Sequence, residues 1–403
     1  MHVQSSLLRQ PLSVWATAFA AVVAFMGIGL VDPILPAIAK NLEASPNQVS
    51  LLFTSYFLIT AVAMLVTGWV SSRIGGKRTL LIGLALVVVF AALAGTSDTV
   101  GQLVGFRAGW GLGNALFVAT ALAVIVGAAS GGAESAIILY EAALGLGISL
   151  GPLAGALLGD MNWRYPFFGT AALMAIGFLL ITTLLRRMPR PAEKTSLTAP
   201  IRALRHGGLS TTAFSALFYN YAFFTVLAFT PFVLDMDAHG IGLVFFGWGV
   251  LVALSSVFVA PRLQRRLGTI HVMYAALVLL AVFQLGLAVF GHGGIVACTI
   301  LSGIPIGMNN TAYTEAAMEV SDSPRPVASA GYNFVRWLGG AVAPYAATKL
   351  AEHLNASVPY VVGATCCAAA IGVLAVRRHH LTALERVDVD HAFRDVPAVS
   401  PGR

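Results

Sequence analysis

Runs of about twenty apolar residues, the length that crosses a bilayer as a helix, recur along the whole chain and are separated by short polar joints. No water reaches backbone groups inside a bilayer, so a spanning segment must satisfy its own hydrogen bonds. Unalternating runs of this length do so as helices. Twelve spans are placed, near 15–38, 49–71, 79–96, 99–128, 134–159, 163–185, 209–233, 241–261, 269–290, 293–318, 327–351 and 357–376. Charge content agrees. Only 10% of the residues are Asp, Glu, Lys or Arg, against roughly 25% in a typical soluble domain, too few to cover a soluble chain of this size. The first run contains Asp32 and lacks a small-residue cleavage pattern, so it reads as a span and not as a removable leader.

The longest joint, RRMPRPAEKTSLTAPIRALRHGG, is basic and bears prolines, and it divides the spans six and six. The expected fold is an all-α membrane protein with twelve transmembrane helices in two six-helix pseudo-symmetric bundles. The bundles are residues 1–185 and 209–376, joined by a linker over 186–208 and followed by a tail over 377–403. No segment outside the spans is large enough for a second soluble domain, and no G-x-x-x-x-G-K-[ST] sequence is present to cradle ATP phosphates. Fifteen Lys and Arg lie in the joints after even-numbered spans, against Lys40, Arg164 and Lys349 on the other side. The positive-inside rule then places both termini and the linker in the cytoplasm. The net charge of +7 is read as topology and not as nucleic-acid binding. Cys298, Cys366 and Cys367 all lie in spans and read as packing residues, with no disulfide framework, metal site or cofactor implied.

Two joints echo each other. GWVSSRIGGKRTLL, after span two, carries Gly68, Ser72, Arg73, Gly75, Lys77 and Arg78; PRLQRRLGTIHVM follows span eight. Each is a tight basic turn at the same place in its half, which suggests internal repetition. Ordinary topological charge is the plainer reading. Glycine permits the sharp reversal with positive φ. In span five, Gly147, Gly151, Gly155 and Gly159 recur every fourth residue around Pro152. Such a stripe lets a neighbouring helix approach closely, and Pro152 removes one intrahelical donor. It serves either static packing or a contact that slides.

Five ionisable residues fall inside spans: Asp32, Arg107, Glu141, Glu315 and Arg336. Each costs about 2.5–3.5 kcal/mol at a helix centre on insertion scales, so such residues face protein or a wet cavity. Depth along the spans suggests pairing Asp32 with Arg107 and Glu315 with Arg336, and all five are candidates for a proton-coupling network, Glu315 and Arg336 being shared between coupling and structure. Glu141 has no cation at its depth. A desolvated carboxylate favours its neutral form, which suits a group that takes up and releases a proton. Asn114, Tyr219, Asn220, Asn309, Asn310, Tyr313 and Asn333 cluster near these charges and are expected to line a central cavity, although some would serve only to staple helices.

These features together resemble the major facilitator superfamily along nearly the whole chain. GWVSSRIGGKR resembles its first cytoplasmic signature through Gly68, Arg73, Gly75, Lys77 and Arg78, with Ser72 in the position that is usually acidic; the resemblance implies that this joint takes part in conformational switching. LVGFRAGWGLGNA resembles the span-four signature, with Trp110 where many relatives have glutamine. GISLGPLAGA resembles the span-five antiporter signature through Gly147, Gly151, Pro152 and Gly155. The resemblance implies alternating access, a proton-coupling role for Arg107, and export of a small organic solute, drug or metabolite, across a bacterial plasma membrane by a monomer. It implies no enzyme activity, and its partners are protons, the solute and the bilayer. An importer or facilitator of a polar nutrient is the alternative, and a transporter-like sensor or scaffold is the second.

Overall fold

In the computed structural model, residues 10–128, 132–186, 194–382 and 384 are described, with backbone alone for 132–138 and for Glu141. The described residues hold no strand. Twelve long helical spans follow in chain order: α1 Leu12–Asn41, α2 Pro46–Ile74, α3 Gly76–Gly95, α4 Val100–Ala128, α5 Gly132–Met161 and α6 Tyr165–Leu184. Then come α7 Gly207–Phe232, α8 Ala238–Leu267, α9 Thr269–Val289, α10 His292–Glu319, α11 Arg325–His353 and α12 Val358–Val376. Among the described residues, eleven helices are long and apolar enough to cross a membrane. The twelfth, α11, is as long at 29 residues but carries Arg325, Arg336, Lys349 and Glu352. Packing against α2 and α7 encloses much of it, so its polarity is spent inside the protein.

The helices pair in a repeated pattern. In the first half α1 packs on α5 and α6, α2 on α4, and α3 on α4 and α6. Adding six to each number gives the second half: α7 on α11 and α12, α8 on α10, α9 on α10 and α12. The two basic joints repeat down to the backbone. Gly75 has φ 90° and ψ 152°, and Gly268 has φ 83° and ψ 152°. Side chains with a Cβ rarely adopt that region, which explains glycine at both reversals. The halves meet through α2 with α11 and through α5 with α8.

Two spans are broken, each at a proline. In α1, a 3-10 turn over Asp32–Ile34 separates helices Leu12–Gly29 and Leu35–Asn41. Pro33 and Pro36 supply no N–H to continue the ladder there. In α8 a π turn over Ser255–Val259 precedes Pro261, whose ring excludes the normal bond to the carbonyl four residues back.

The glycine stripe of α5 seats α1 within the first half. A Cβ at Gly147, Gly151 or Gly155 would lie 2.5, 2.6 or 2.1 Å from the carbonyl oxygens of Val22, Met26 and Leu30. A neighbouring face of α5 meets α8 across the seam. There a Cβ at Gly249 would stand 2.7 Å from the Ser149 Cα, and one at Gly242 2.4 Å from the Ala156 Cβ. On the face away from the basic joints, Ser50 Oγ and Thr348 Oγ1 lie 3.1 Å apart. Asn47 Nδ2 donates to Glu352 Oε2 beside them, and Lys349 Nζ lies 3.0 Å from the same oxygen. The halves are thus latched together on that face.

Candidate functional site

Asp32 occupies the broken turn of α1, fully buried, and neither carboxylate oxygen has a hydrogen-bond partner. The stripe places it there. A Cβ on Gly29 would lie 3.0 Å from Pro152 Cδ and 3.4 Å from Asp32 Oδ2, so the α5 proline and the acid share one wall. Helix α4 brings Arg107, also fully buried. Its Nη1 donates to the Gly27 carbonyl at 3.4 Å, while Nε and Nη2 have no partner. The guanidinium lies between the rings of Tyr56 (4.4 Å) and Trp110 (4.6 Å). A desolvated cation over an aromatic face gains about 2 kcal/mol or more, and two faces hold it here in place of a carboxylate. Asp32 and Arg107 act on each other electrostatically without forming a direct ion pair. The tryptophan that replaces the usual glutamine therefore has a use, which the motif by itself did not reveal.

Arg336 and Glu315 do not pair. At 1.5 Å per residue, Glu315 stands roughly 6 Å from the basic end of α10, whereas Arg336 stands roughly 17 Å into α11. Gln264 Nε2 of α8 donates to Glu315 Oε2 at 2.5 Å, tying the acid to the neighbouring helix. Arg336 reaches neutral oxygens: Nη2 to Asn310 Oδ1 at 3.2 Å, Nε to Asn220 Oδ1 at 3.4 Å and Nη1 to the Tyr332 hydroxyl at 3.5 Å. Asn220 Nδ2 donates back to the Arg336 carbonyl at 3.0 Å. The Tyr219 hydroxyl stands 3.0 Å from both Asn310 Oδ1 and the Ile306 carbonyl.

The other expected polar residues divide. Asn114 and Asn309 are buried, and Asn309 leaves both amide atoms without a partner. Asn333 turns back to Ser329 of its own helix at 3.0 Å. Tyr313 is fully buried with its hydroxyl 2.5 Å from Ser215 Oγ, so it staples α7 to α10 and does not line a cavity here. Glu141 lies on α5, and its side chain is outside the described residues. Sequence reading missed the aromatic crossing of the seam. Phe57 of α2 packs on Phe224 of α7 at 4.3 Å between ring centres and stacks on Trp337 of α11 at 5.2 Å.

At the basic joint, Ser72 Oγ accepts the Thr195 N–H at 3.2 Å and donates to the Trp69 carbonyl at 2.9 Å. Arg73 reaches the Thr195 carbonyl at 3.3 Å and covers Trp69. Gly68 also faces Thr195, with a Cβ there 3.7 Å from its methyl. Lys77 Nζ donates to the Thr182 carbonyl at 2.9 Å and to that of Leu185, closing the C-terminal end of α6, where a cation is favoured. Arg78 makes no described contact of this kind. The neutral serine thus ties the linker to α2 through one hydrogen bond.

The sequence profile of the Major Facilitator Superfamily matches residues 17–379. A multidrug efflux protein of Bacillus subtilis, YfmO, is 51% identical over 390 residues, covering 96% of this chain and 98% of its own. Among solved structures, a D-xylose-proton symporter superposes with a TM-score of 0.74 at 15% identity, over 89% of this chain and 96% of its own. The human organic anion transporter MFSD10 gives 0.72 at 16% identity, over 90% and 99%. At such low identity these two structures speak for the fold alone. With the repeated six-helix halves, the broken first span and the profile match along nearly its whole length, the chain belongs to the major facilitator superfamily and is a multi-pass membrane transporter.

Proposed function

We propose that this protein exports small organic solutes across a bacterial plasma membrane by alternating access, in exchange for protons. The observation that carries the coupling reading is Asp32. It is a fully buried carboxylate with no hydrogen-bond donor, set at a break in α1 and under the field of Arg107. A buried charge without partners is costly, so the acid gains by taking a proton whenever Arg107 is turned away from it. A shift of α1 against the α5 stripe changes that balance, and the carboxylate then releases its proton to the side to which the cavity opens. The export direction follows YfmO, the multidrug efflux protein that resembles this chain over nearly all of its length.

In this reading the basic joints and both termini lie in the cytoplasm, and the latch of Asn47, Ser50, Thr348 and Glu352 closes the outer face. Solute enters from the cytoplasm toward Arg336, Asn310 and the Phe57–Trp337 contact, the seam helices rock, and the solute leaves as Asp32 is protonated. Glu141 is the second candidate proton carrier. The membrane potential adds about 2.3 kcal/mol per net charge for each 100 mV. The test is solute flux in proteoliposomes under an imposed pH gradient. Accumulation driven by the gradient, lost in Asp32→Asn with binding retained, supports exchange. Solute movement with the proton, in the same direction, would instead establish an importer.

A further inference from the structure

Arg336 is the only one of the two mid-span arginines that stands without an acid near it among the described residues. Arg107 has Asp32 in its field and two aromatic faces against it. Arg336 has only the more distant rings of Trp337 and Tyr332, at 5.4 and 5.8 Å, and three neutral oxygens at 3.2, 3.4 and 3.5 Å, long for bonds from a cation, which ordinarily close to about 2.7–2.9 Å with a carboxylate. The acid expected to serve it, Glu315, is held elsewhere by Gln264. The site is also not sealed. Arg336, Trp337 and Asn310 are all half-buried, in contrast to the fully buried Arg107. A half-buried guanidinium at mid-span, loosely held by two amides and a phenol, is short of a counter-charge.

A closed aromatic stack lies beside it. The Trp337 ring centre is 5.4 Å from the guanidinium carbon and stacks on Phe57 from the other half, with Phe224 closing the third side at 4.3 Å from Phe57. The Trp337 indole N–H has no partner. A planar aromatic body would slide between Trp337 and Phe57 as the halves separate, and a carboxylate on its edge would replace the long Asn310 and Asn220 contacts with two charged hydrogen bonds. Because the stack is built from both halves, parting its rings reports directly on the seam.

From this arrangement we infer that the cargo class is planar aromatic anions, with Arg336 as the group that receives the anionic edge and Trp337 and Phe57 as the faces that receive the ring. This rests on the export reading for its direction of movement only; the binding chemistry stands on the site itself. It also moves Arg336 from the coupling network to cargo recognition.

The experiment uses the full-length purified protein and two xanthene dyes of similar shape and opposite charge, fluorescein and rhodamine 6G, with binding followed by dye anisotropy. Fluorescein should bind about tenfold tighter than rhodamine 6G or better, and Arg336→Gln should remove about that factor for fluorescein alone. Trp337→Leu should weaken both dyes to a similar extent. Should Arg336→Gln not remain monodisperse, Arg336→Lys keeps the charge but loses the planar fork, and should lower fluorescein affinity severalfold while leaving rhodamine 6G unchanged. Equal or tighter rhodamine 6G binding, or an anion preference that survives both Arg336 variants, overturns the inference. Vesicle flux decides the other claim separately: Arg336-dependent anion binding without proton-driven export leaves the site standing and removes the exporter.

Discussion

Substituting alanine for Gly155 adds one methyl at the tightest point of the α1–α5 contact. Its carbon would sit 2.1 Å from the Leu30 carbonyl oxygen, 2.9 Å from the Leu30 carbonyl carbon and 3.0 Å from Pro33 Cγ. Ordinary Cβ contact begins at 3.4 Å, so the oxygen must retreat by 3.4 minus 2.1, or 1.3 Å. A backbone oxygen cannot rotate out of the way as a side chain would. The turn of α1 therefore moves as a piece, carrying Asp32, which lies two residues beyond Leu30. Overpacking of this kind costs about 1–3 kcal/mol. Gly105 provides the control. It lies inside α4, and a Cβ there meets nothing within 4 Å; alanine in a helix interior is favoured over glycine by about 0.5–1 kcal/mol. Thermal unfolding of the purified variants in detergent should show Gly155→Ala melting below the wild type and Gly105→Ala melting at or above it. Flux should fall in Gly155→Ala beyond what the lost folded fraction explains. Equal melting for the two variants would refute the claim that the stripe holds α1 in place.

Other outcomes follow from the same geometry. Asp32→Asn and Arg107→Gln, compared with the double variant at equal expression, should lose transport non-additively by more than about 0.5 kcal/mol; additive losses would show two independent sites. Glu352→Ala removes the acceptor shared by Asn47 and Lys349 and should raise labelling of a cysteine placed at the half-buried Leu51, outside the latch itself, by a membrane-impermeant reagent from the outer face, whereas unchanged labelling would show that the latch carries no gating load. Glu141→Gln should keep solute binding but suppress pH-driven flux, and full pH-dependent exchange by that variant removes Glu141 from the proton path.

Hydropathy placed the ends of the twelve spans within three residues, α11 included despite its charges, except that α8 runs to Leu267 and not to 261, because length and flanking joints are one-dimensional properties of the chain. The paired basic turns were equally legible, since Gly75 and Gly268 are required by their positive φ. Side-chain partners were less accessible. Depth along a helix fixes one coordinate and leaves the direction around the axis open. Glu315 is five residues past Asn310, so at 3.6 residues per turn it points about 140° away, toward Gln264 and not toward Arg336. The stripe in α5 was visible as a pattern, but its partner was not. The neighbouring face that meets α8 depends on Gly242 and Gly249, which carry no four-residue spacing. Gly303 and Gly307 of α10 do carry it, and a Cβ at either would lie 2.4 or 2.3 Å from a carbonyl oxygen of α8; that signal was available and passed unused. In the cradle around Arg107, Trp110 lies one turn along the same helix and was legible by spacing, whereas Tyr56 comes from α2 and needed the two helices in register.

Solute export and proton entry, on the proposed mechanism, are one process that runs through Asp32. Its most direct measurement is proton movement driven by solute in vesicles holding the purified protein, with a trapped pH indicator and no imposed pH gradient. A solute gradient across the membrane should move protons in the opposite direction through the wild type, and Asp32→Asn should bind solute yet move no protons. Solute-driven proton movement that persists undiminished in Asp32→Asn, or solute exchange in the wild type with no proton movement at all, would contradict it.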